Sequence, residues 1–278
     1  MPALSSVSFD DEIQRRVYEY VERNGAVTRP ELIRSVRLES ESTQSKPARS
    51  GTYTHEVPPS PDELRSCVET LRDRGYLVES NGKLRIALPG APSEHDLEPG
   101  RVTIRPAREA DRTGIVETMR AVAANGSYVV AANLAERLER ESALVRVDGD
   151  RSRICFAAVL EPAADDSGSD RPERDVVGWL HLEAPGFPSR SHVAAVTVGV
   201  DPEQRRVGIG SRLLEYGLEW ADDAGYRKLY QGVPATNDGA IEFLEENGWR
   251  REGEREEHYC IDDEFVDEVL LAIWPSER

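Results

Sequence analysis

Arg205, Arg206, Gly208 and Gly210 lie in the order Arg-Arg-x-Gly-x-Gly, with Ser211 directly after. Residues of these types at this spacing make a site for an anion. The first N–H groups of a helix have no partner inside it, and they sit at the positive end of its dipole. Glycine lacks the Cβ that would hold an anion away from those N–H groups. A glycine-rich junction leading into a helix is therefore a cradle for phosphate, and Arg205 and Arg206 add positive charge at its rim. The spacing is neither the GxxxxGK(S/T) of a P-loop nor the GxGxxG of a dinucleotide-binding turn.

The elements that must position this junction are legible on both sides of it. His192 to Val200, HVAAVTVGV, is apolar and rich in β-branched residues, which predicts a strand. Asp201-Pro202 stops the strand, because Pro has no N–H to give to a ladder. From Ser211 to Ala221 the apolar residues Leu213, Leu214, Gly217, Leu218 and Ala221 recur at a helical period.

The strand, the Arg205-x-x-Gly208-x-Gly210 loop and the helix together resemble the acyl-CoA-binding motif of the GNAT family of N-acetyltransferases, written Q/R-x-x-G-x-G/A. A second segment, Asn237-x-x-Ala240-Ile241-x-Phe243-Leu244-Glu245-Glu246-Asn247-Gly248-Trp249, resembles that family's N-x-x-A-x-x-(L/F)-Y-x-x-x-G-(F/W) stretch. The likeness runs from Arg101 to Trp274. It implies an α/β fold, a mixed and mostly antiparallel GNAT sheet flanked by helices. It implies acetyl-CoA as cosubstrate, no metal, and direct transfer of the acetyl group to a primary amine. The backbone N–H groups from Arg206 through Val207, Gly208, Ile209 and Gly210 to Ser211 would bind the pyrophosphate, with Arg205 and Arg206 assisting. Val198 and Val200 would offer backbone bonds to pantetheine, the Val198 N–H facing the thioester oxygen. Asn237 would contact the pantetheine arm or orient a loop, and Phe243 would pack beside the cosubstrate.

Acetyl transfer also needs a neutral amine and a proton for the leaving thiolate. Many members of the family carry a Tyr for the second task where this chain has Leu244. Either another group protonates the thiolate, or solvent does, or the chemistry has been lost. Tyr259 and Tyr230 are the candidate substitutes. For the base, His192 opens the central strand and carries a side-chain type suited to deprotonating an amine, and Glu183 ends the preceding strand. No Cys or Ser has a recognisable nucleophile setting, in agreement with direct transfer. The acceptor stays open among a polyamine, an aminoglycoside-like amine, an amino acid, and a protein N-terminus or lysine.

The rest of the chain reads as a separate N-terminal domain over residues 1–92, a linker over 93–100, and the acyltransferase domain over 101–278. Helices are expected from Phe9 to Arg23, from Glu31 to Val36 and from Ser60-Pro61 to Gly75, and a long loop from Leu38 to Pro59. A hairpin is expected around Asn81-Gly82. Three helices and a hairpin resemble a small, mainly-α winged helix-turn-helix domain. That likeness implies DNA as a partner, through Arg65, Arg72, Arg74, Lys83 and Arg85. It also frames an alternative function, an acyl-CoA-sensing DNA-binding regulator with a weak or inactive acetyltransferase domain. A protein-docking module is the third reading. The final hairpin, Phe265 to Trp274, is a candidate surface for a homodimer.

The chain has 278 residues, 35 Lys plus Arg against 52 Asp plus Glu, and a net charge of -17. Residues 1–92 hold 13 basic and 14 acidic residues, so nearly all of the acidity belongs to the remainder. Such charge opposes general binding to nucleic acid or an anionic membrane. Abundant Asp and Glu with Lys only at Lys46, Lys83 and Lys228 predicts a surface suited to a salt-rich, halophilic cytoplasm. Cys67, Cys155 and Cys260 form no CxxC and no cluster with His, which argues against disulfides and zinc and for small core residues. No run reaches transmembrane length, and no charged n-region precedes an apolar core at the N-terminus. The protein is expected to be soluble and cytoplasmic.

Overall fold

The computed structural model of the chain describes residues 9–40, 55–80, 82–88, 90–98, 100–124, 128–141, 143–145, 151–161 and 175–277. The middle of the loop expected at 38–59, Asn81 of the hairpin turn and all but Glu161 of the polar loop expected at 161–174 lie outside the described residues. Contacts divide the chain into two compact units, one within Val7–Pro89 and the other running from Gly90 to the C-terminal end.

In the first unit, α1 (Glu12–Asn24) begins at Asp11, whose side chain accepts from the Gln14 N–H at 2.8 Å. A short strand, β1 (Val27–Thr28), leads into α2 (Arg29–Ser35). Thr28 caps α2 in a reciprocal box with Glu31. The strands β2 (Leu38–Ser40) and β3 (His55–Val57) pair antiparallel, so the ends of the expected loop are ordered as a ladder. Ser60 and Glu63 form a second capping box that starts α3 (Pro61–Asp73). The strands β4 (Leu77–Ser80) and β5 (Lys83–Ile86) make the expected hairpin, and β1 adds to it in the order β1-β5-β4. Val17, Val21, Leu32, Leu64, Val68, Leu71, Leu77 and Leu84 form its core.

The basic residues singled out in this unit are largely engaged. Arg65 pairs with Asp62, Arg72 with Glu79 and Arg74 with Asp10, and Arg85 is buried.

The second unit is built on an eight-stranded sheet in the order β12-β13-β11-β10-β9-β8-β7-β6. Its first two strands are β6 (Ser93–Leu97) and β7 (Gly100–Pro106). The segment 93–100 is therefore not a linker, as expected from sequence, but the edge of the sheet, with Ser93 opposite Ile104 and Leu97 opposite Gly100. Its sequence SEHDL hides this because an edge strand carries charges and needs few apolar residues. Two helices follow, α4 (Arg112–Ala123) and α5 (Val129–Arg140). Then come β8 (Arg151–Leu160), β9 (Asp175–Pro185) and β10 (Val193–Val200). The helix α6 (Ile209–Asp223), β11 (Lys228–Pro234), α7 (Asp238–Glu246), β12 (Arg250–Ile261) and β13 (Glu264–Ile273) complete it.

Side chains alternate between the faces of a strand. On β9, Leu180 meets α6 at Gly217, where an added Cβ would lie 2.8 Å from the Leu180 Cδ1. Glu183 points to the other face, where Arg137 of α5 binds it. The sheet thus has α4 and α5 on one face and α6 on the other.

Every neighbouring pair in this sheet is antiparallel except β10 with β11. That parallel pair is registered only at Val193–Lys228, Ala194–Leu229 and Ala195–Tyr230. Beyond it the strands part. β10 stays paired to β9 as far as Val200–Gly178, and β11 stays paired to β13 as far as Pro234–Glu268. A gap therefore opens inside the sheet, where β10 beyond Ala195 has no strand partner on the β11 side.

Cys67 and Cys155 are buried and free, as expected of small core residues, whereas Cys260 is exposed on β12. Among the described residues no helix is long and apolar enough to cross a membrane, and no group of His, Cys, Asp and Glu is arranged to hold a metal.

Candidate active site

The chain turns sharply after β10. The Asp201 N–H donates to the Val177 carbonyl at 2.9 Å, and the Asp201 side chain accepts from the Glu203 N–H at 2.8 Å. A short 3-10 turn over Pro202–Gln204 then leads to Arg206 at φ 67° and Gly208 at φ 94°. Left-handed backbone of this kind suits glycine and is uncommon elsewhere. Gly208 is the N-cap of α6 and offers no side chain to its first turn. The Arg212 N–H reaches the Gly208 carbonyl at 3.1 Å, so the N–H groups of Ile209, Gly210 and Ser211 lie ahead of the helical ladder. The positive end of α6 is open to an incoming anion.

A cavity of about 440 Å³ joins this helix start to the gap in the sheet. Val198, Val200, Arg205, Arg206, Gly208, Ile209, Gly210, Ser211, Asn237 and Phe243, all expected at the site, line it, while Val207 does not. Phe243 of α7 closes against the helix start, its ring 3.0 Å from where a Cβ on Gly210 would stand. The Arg205 side chain turns back to donate from Nε to the Val200 carbonyl at 3.1 Å, which ties the loop to the strand end. Asn237 caps α7 by accepting from the Ala240 N–H at 3.2 Å, so its position is fixed by the helix that it starts.

The gap-facing backbone follows from register. The His192 carbonyl faces β11, where it accepts from the Arg227 and Lys228 N–H groups at 2.9 and 3.3 Å. By two-residue alternation the backbone groups of Val198 and Val200 face the same way, into the gap. There the Val198 N–H donates to the hydroxyl oxygen of Tyr128, and Gln231 Nε2 donates to the same oxygen at 2.8 Å. Tyr128 is 5% exposed. Burial pushes its phenol well above the usual tyrosine range, while the Val198 and Gln231 donors pull in the opposite direction. Sequence reasoning missed Tyr128 and Gln231. Both line the cavity, as do Gln204 and Glu246, but no motif marks Tyr128 or Gln231, and Tyr128 lies far from the cradle in the chain.

The catalytic candidates read from sequence stand elsewhere. Glu183 does not line the cavity and is held by Arg137. His192 is exposed at the far end of β10, six residues before Val198, or roughly 20 Å away at strand rise. The Tyr259 hydroxyl donates to Glu268 Oε1 at 2.6 Å, and Glu268 Oε2 accepts from Arg255 Nη1 at 2.7 Å. Burial and the Glu268 carboxylate push the Tyr259 phenol up. The Tyr230 hydroxyl accepts from Arg190 at 3.3 Å. Leu244, at 1% exposure, is part of the core beneath α7 and not of the cavity wall.

Residues 135–249 match the family described as "Acetyltransferase (GNAT) family". Over 76 residues the chain is 30% identical to the [Ribosomal protein bS18]-alanine N-acetyltransferase of Escherichia coli K12. The match covers 27% of this chain and 51% of that protein. The L-amino acid N-acetyltransferase AaaT of the same organism is 29% identical over 99 residues, covering 35% of this chain and 61% of the relative. The chain thus spans about half to three-fifths of the curated relatives that it matches. Among solved structures, a GNAT-family acetyltransferase from Streptococcus pneumoniae aligns with a TM-score of 0.48 at 19% identity, over 62% of this chain and 99% of that one. The protein yncA from Salmonella typhimurium, solved with its cofactor acetyl-CoA, aligns with a TM-score of 0.47 at 18% identity, over 64% and 95%.

Proposed function

We propose that this chain transfers an acetyl group from acetyl-CoA directly to the nitrogen of a primary amine. The observation that carries the reading is a single cavity with an uncapped helix start at one end and a split parallel strand pair at the other. The first offers N–H groups to a pyrophosphate. The second offers strand-edge backbone to an extended, amide-bearing arm, which can pair with it as an added strand does.

The residues divide the work as follows. The N–H groups of Ile209, Gly210 and Ser211 bind the diphosphate oxygens, and the exposed Arg206 adds charge in a protein that is otherwise acidic. Gly208 and Gly210 keep the backbone close enough to make those bonds. Val200 and Val198 carry the pantetheine arm toward the gap, and Phe243 walls it off from solvent. At the gap the thioester carbon meets the amine, held in place by the bound arm.

The acceptor is a primary amine, of a small molecule or of a protein. The first unit, with its three helices and β-hairpin, reads as a winged-helix-like domain. Its basic residues are mostly ion-paired or buried, so DNA recognition is not part of this proposal.

The test is calorimetric titration of the full chain with acetyl-CoA, in buffers from low salt to molar KCl, followed by CoA release against a panel of amines. Saturable binding with amine-dependent release is expected. Absence of acetyl-CoA binding at every salt concentration would overturn the reading.

A further inference from the structure

Two N–H donors converge on one oxygen in the cavity wall, that of the Tyr128 hydroxyl: Gln231 Nε2 at 2.8 Å and the backbone N–H of Val198. A phenol oxygen can accept two hydrogen bonds and still donate one. Both accepting positions are filled here by donors that cannot take a proton back. The phenol's own hydrogen has no acceptor among the described residues, and the ring lines the cavity with Val198 and Gln231.

Chemistry at this point calls for such a group. Attack of a neutral amine on a thioester carbon forms the C–N bond and sends an electron pair to the carbonyl oxygen. Collapse restores the carbonyl and breaks C–S, and sulfur departs with the bonding pair. A proton supplied at that moment lowers the barrier. Leu244 cannot supply it, being apolar and buried in the core. Tyr259 has given its hydrogen to Glu268. Tyr230 does not line the cavity.

Resting on the acetyltransferase reading, we infer that Tyr128 is the catalytic acid, giving its phenolic proton to the departing thiolate of CoA. The phenolate so formed is held by the same two donors, Val198 N–H and Gln231 Nε2, which bind a charged oxygen more strongly than a neutral one. It recovers a proton from the nitrogen that loses one on becoming an amide, directly or through water. The sum is amine plus acetyl-CoA to amide plus CoA thiol, with Tyr128 unchanged. The titratable group facing it from the neighbouring strands is Tyr259, backed by Glu268, Arg255 and His258.

The experiment compares the wild-type chain, Tyr128→Phe, and a chain carrying fluorotyrosine at position 128. In Tyr128→Phe, kcat is expected to fall about 100-fold, as for loss of a general acid, while acetyl-CoA affinity by calorimetry stays within about threefold, the ring being retained. Fluorination lowers the phenol's own pKa with little change of shape, so kcat at one fixed near-neutral pH is expected to rise as fluorines are added, following the strength of the acid. A residue that only packs would leave kcat unchanged across the series. Tyr128→Phe with kcat within threefold of wild type, or a kcat unmoved by fluorination, overturns the inference and leaves the acetyltransferase reading intact. A wild-type chain that releases no CoA with any amine overturns the acetyltransferase reading, and this inference with it.

Discussion

Both oxygens of the Glu183 carboxylate are held by Arg137, Oε1 at 3.1 Å from Nη1 and Oε2 at 2.6 Å from Nη2. The pair joins α5 to β9 across one face of the sheet, away from the cavity. A carboxylate in a bidentate pair with arginine is a structural fastener. Glu183→Gln is therefore expected to leave kcat and KM within about threefold of wild type. Because the pair is partly exposed, the loss of stability should be only about 1 kcal/mol, measured by urea unfolding.

His192 is expected to be equally dispensable for turnover. It stands at the end of β10 where the parallel pairing begins, and the gap begins only past Ala195. His192→Gln should reproduce the wild-type kcat profile between pH 6 and 9. A lost acidic limb would show that the imidazole reaches the amine after all.

Gly208 adopts φ 94° with open space around the position of an added Cβ, the nearest atom being Leu97 Cδ2 at 4.0 Å. Replacement by Ala thus creates no clash but forces a strained backbone, at a cost of about 1–3 kcal/mol. If the turn relaxes, the α6 N–H groups shift, and the Kd for acetyl-CoA should rise at least tenfold by calorimetry. An unchanged Kd would place the phosphates elsewhere.

Leu244 lies in the core at 1% exposure. Leu244→Tyr adds a ring and a hydroxyl to a packed interior, where overpacking costs about 1–3 kcal/mol. The expected outcome is a lower thermal midpoint with no gain in kcat. A rise in kcat would instead mean that a hydroxyl on α7 reaches the thioester, and would weigh against Tyr128.

His181, on the same face of β9 as Glu183, is buried, and burial with the nearby charges of Arg137 and Arg153 pushes its imidazole down from 6.5 to about 3. The unfolded chain therefore takes up a proton near pH 6.5 that the folded chain refuses until about pH 3. Between those values the unfolded state binds more protons, so stability falls as pH falls, by up to about 1.4 kcal/mol per unit. Urea unfolding at pH 7 and pH 5 should show this loss in wild type and a smaller one in His181→Gln.

The strand, loop and helix of the expected cradle were legible in the sequence because all of their parts are local. Strand, Asp-Pro stop, Arg-Gly loop and helix are contiguous from Val193 to Asp223, and each depends on the backbone preferences of a few neighbouring residues. The helix start at Ser60-Pro61 and the hairpin of β4 and β5 were legible for the same reason. The edge strand at Ser93–Leu97 was not, since its alternation of polar side chains resembles a linker until β7 is there to pair with it. Nor was it legible which titratable side chains line the cavity. Glu183 and His192 have suitable chemistry, but one is turned to Arg137 and the other lies at the wrong end of its strand. Tyr128 carries no signature at all: its hydroxyl becomes special only because β10 and β11 part after Ala195 and expose the Val198 N–H to it. Sequence determined which backbone segments could cradle an anion, because that property belongs to a dozen consecutive residues. Only the tertiary structure decided which distant side chains line the cavity with that segment, because that depends on where remote parts of the chain meet.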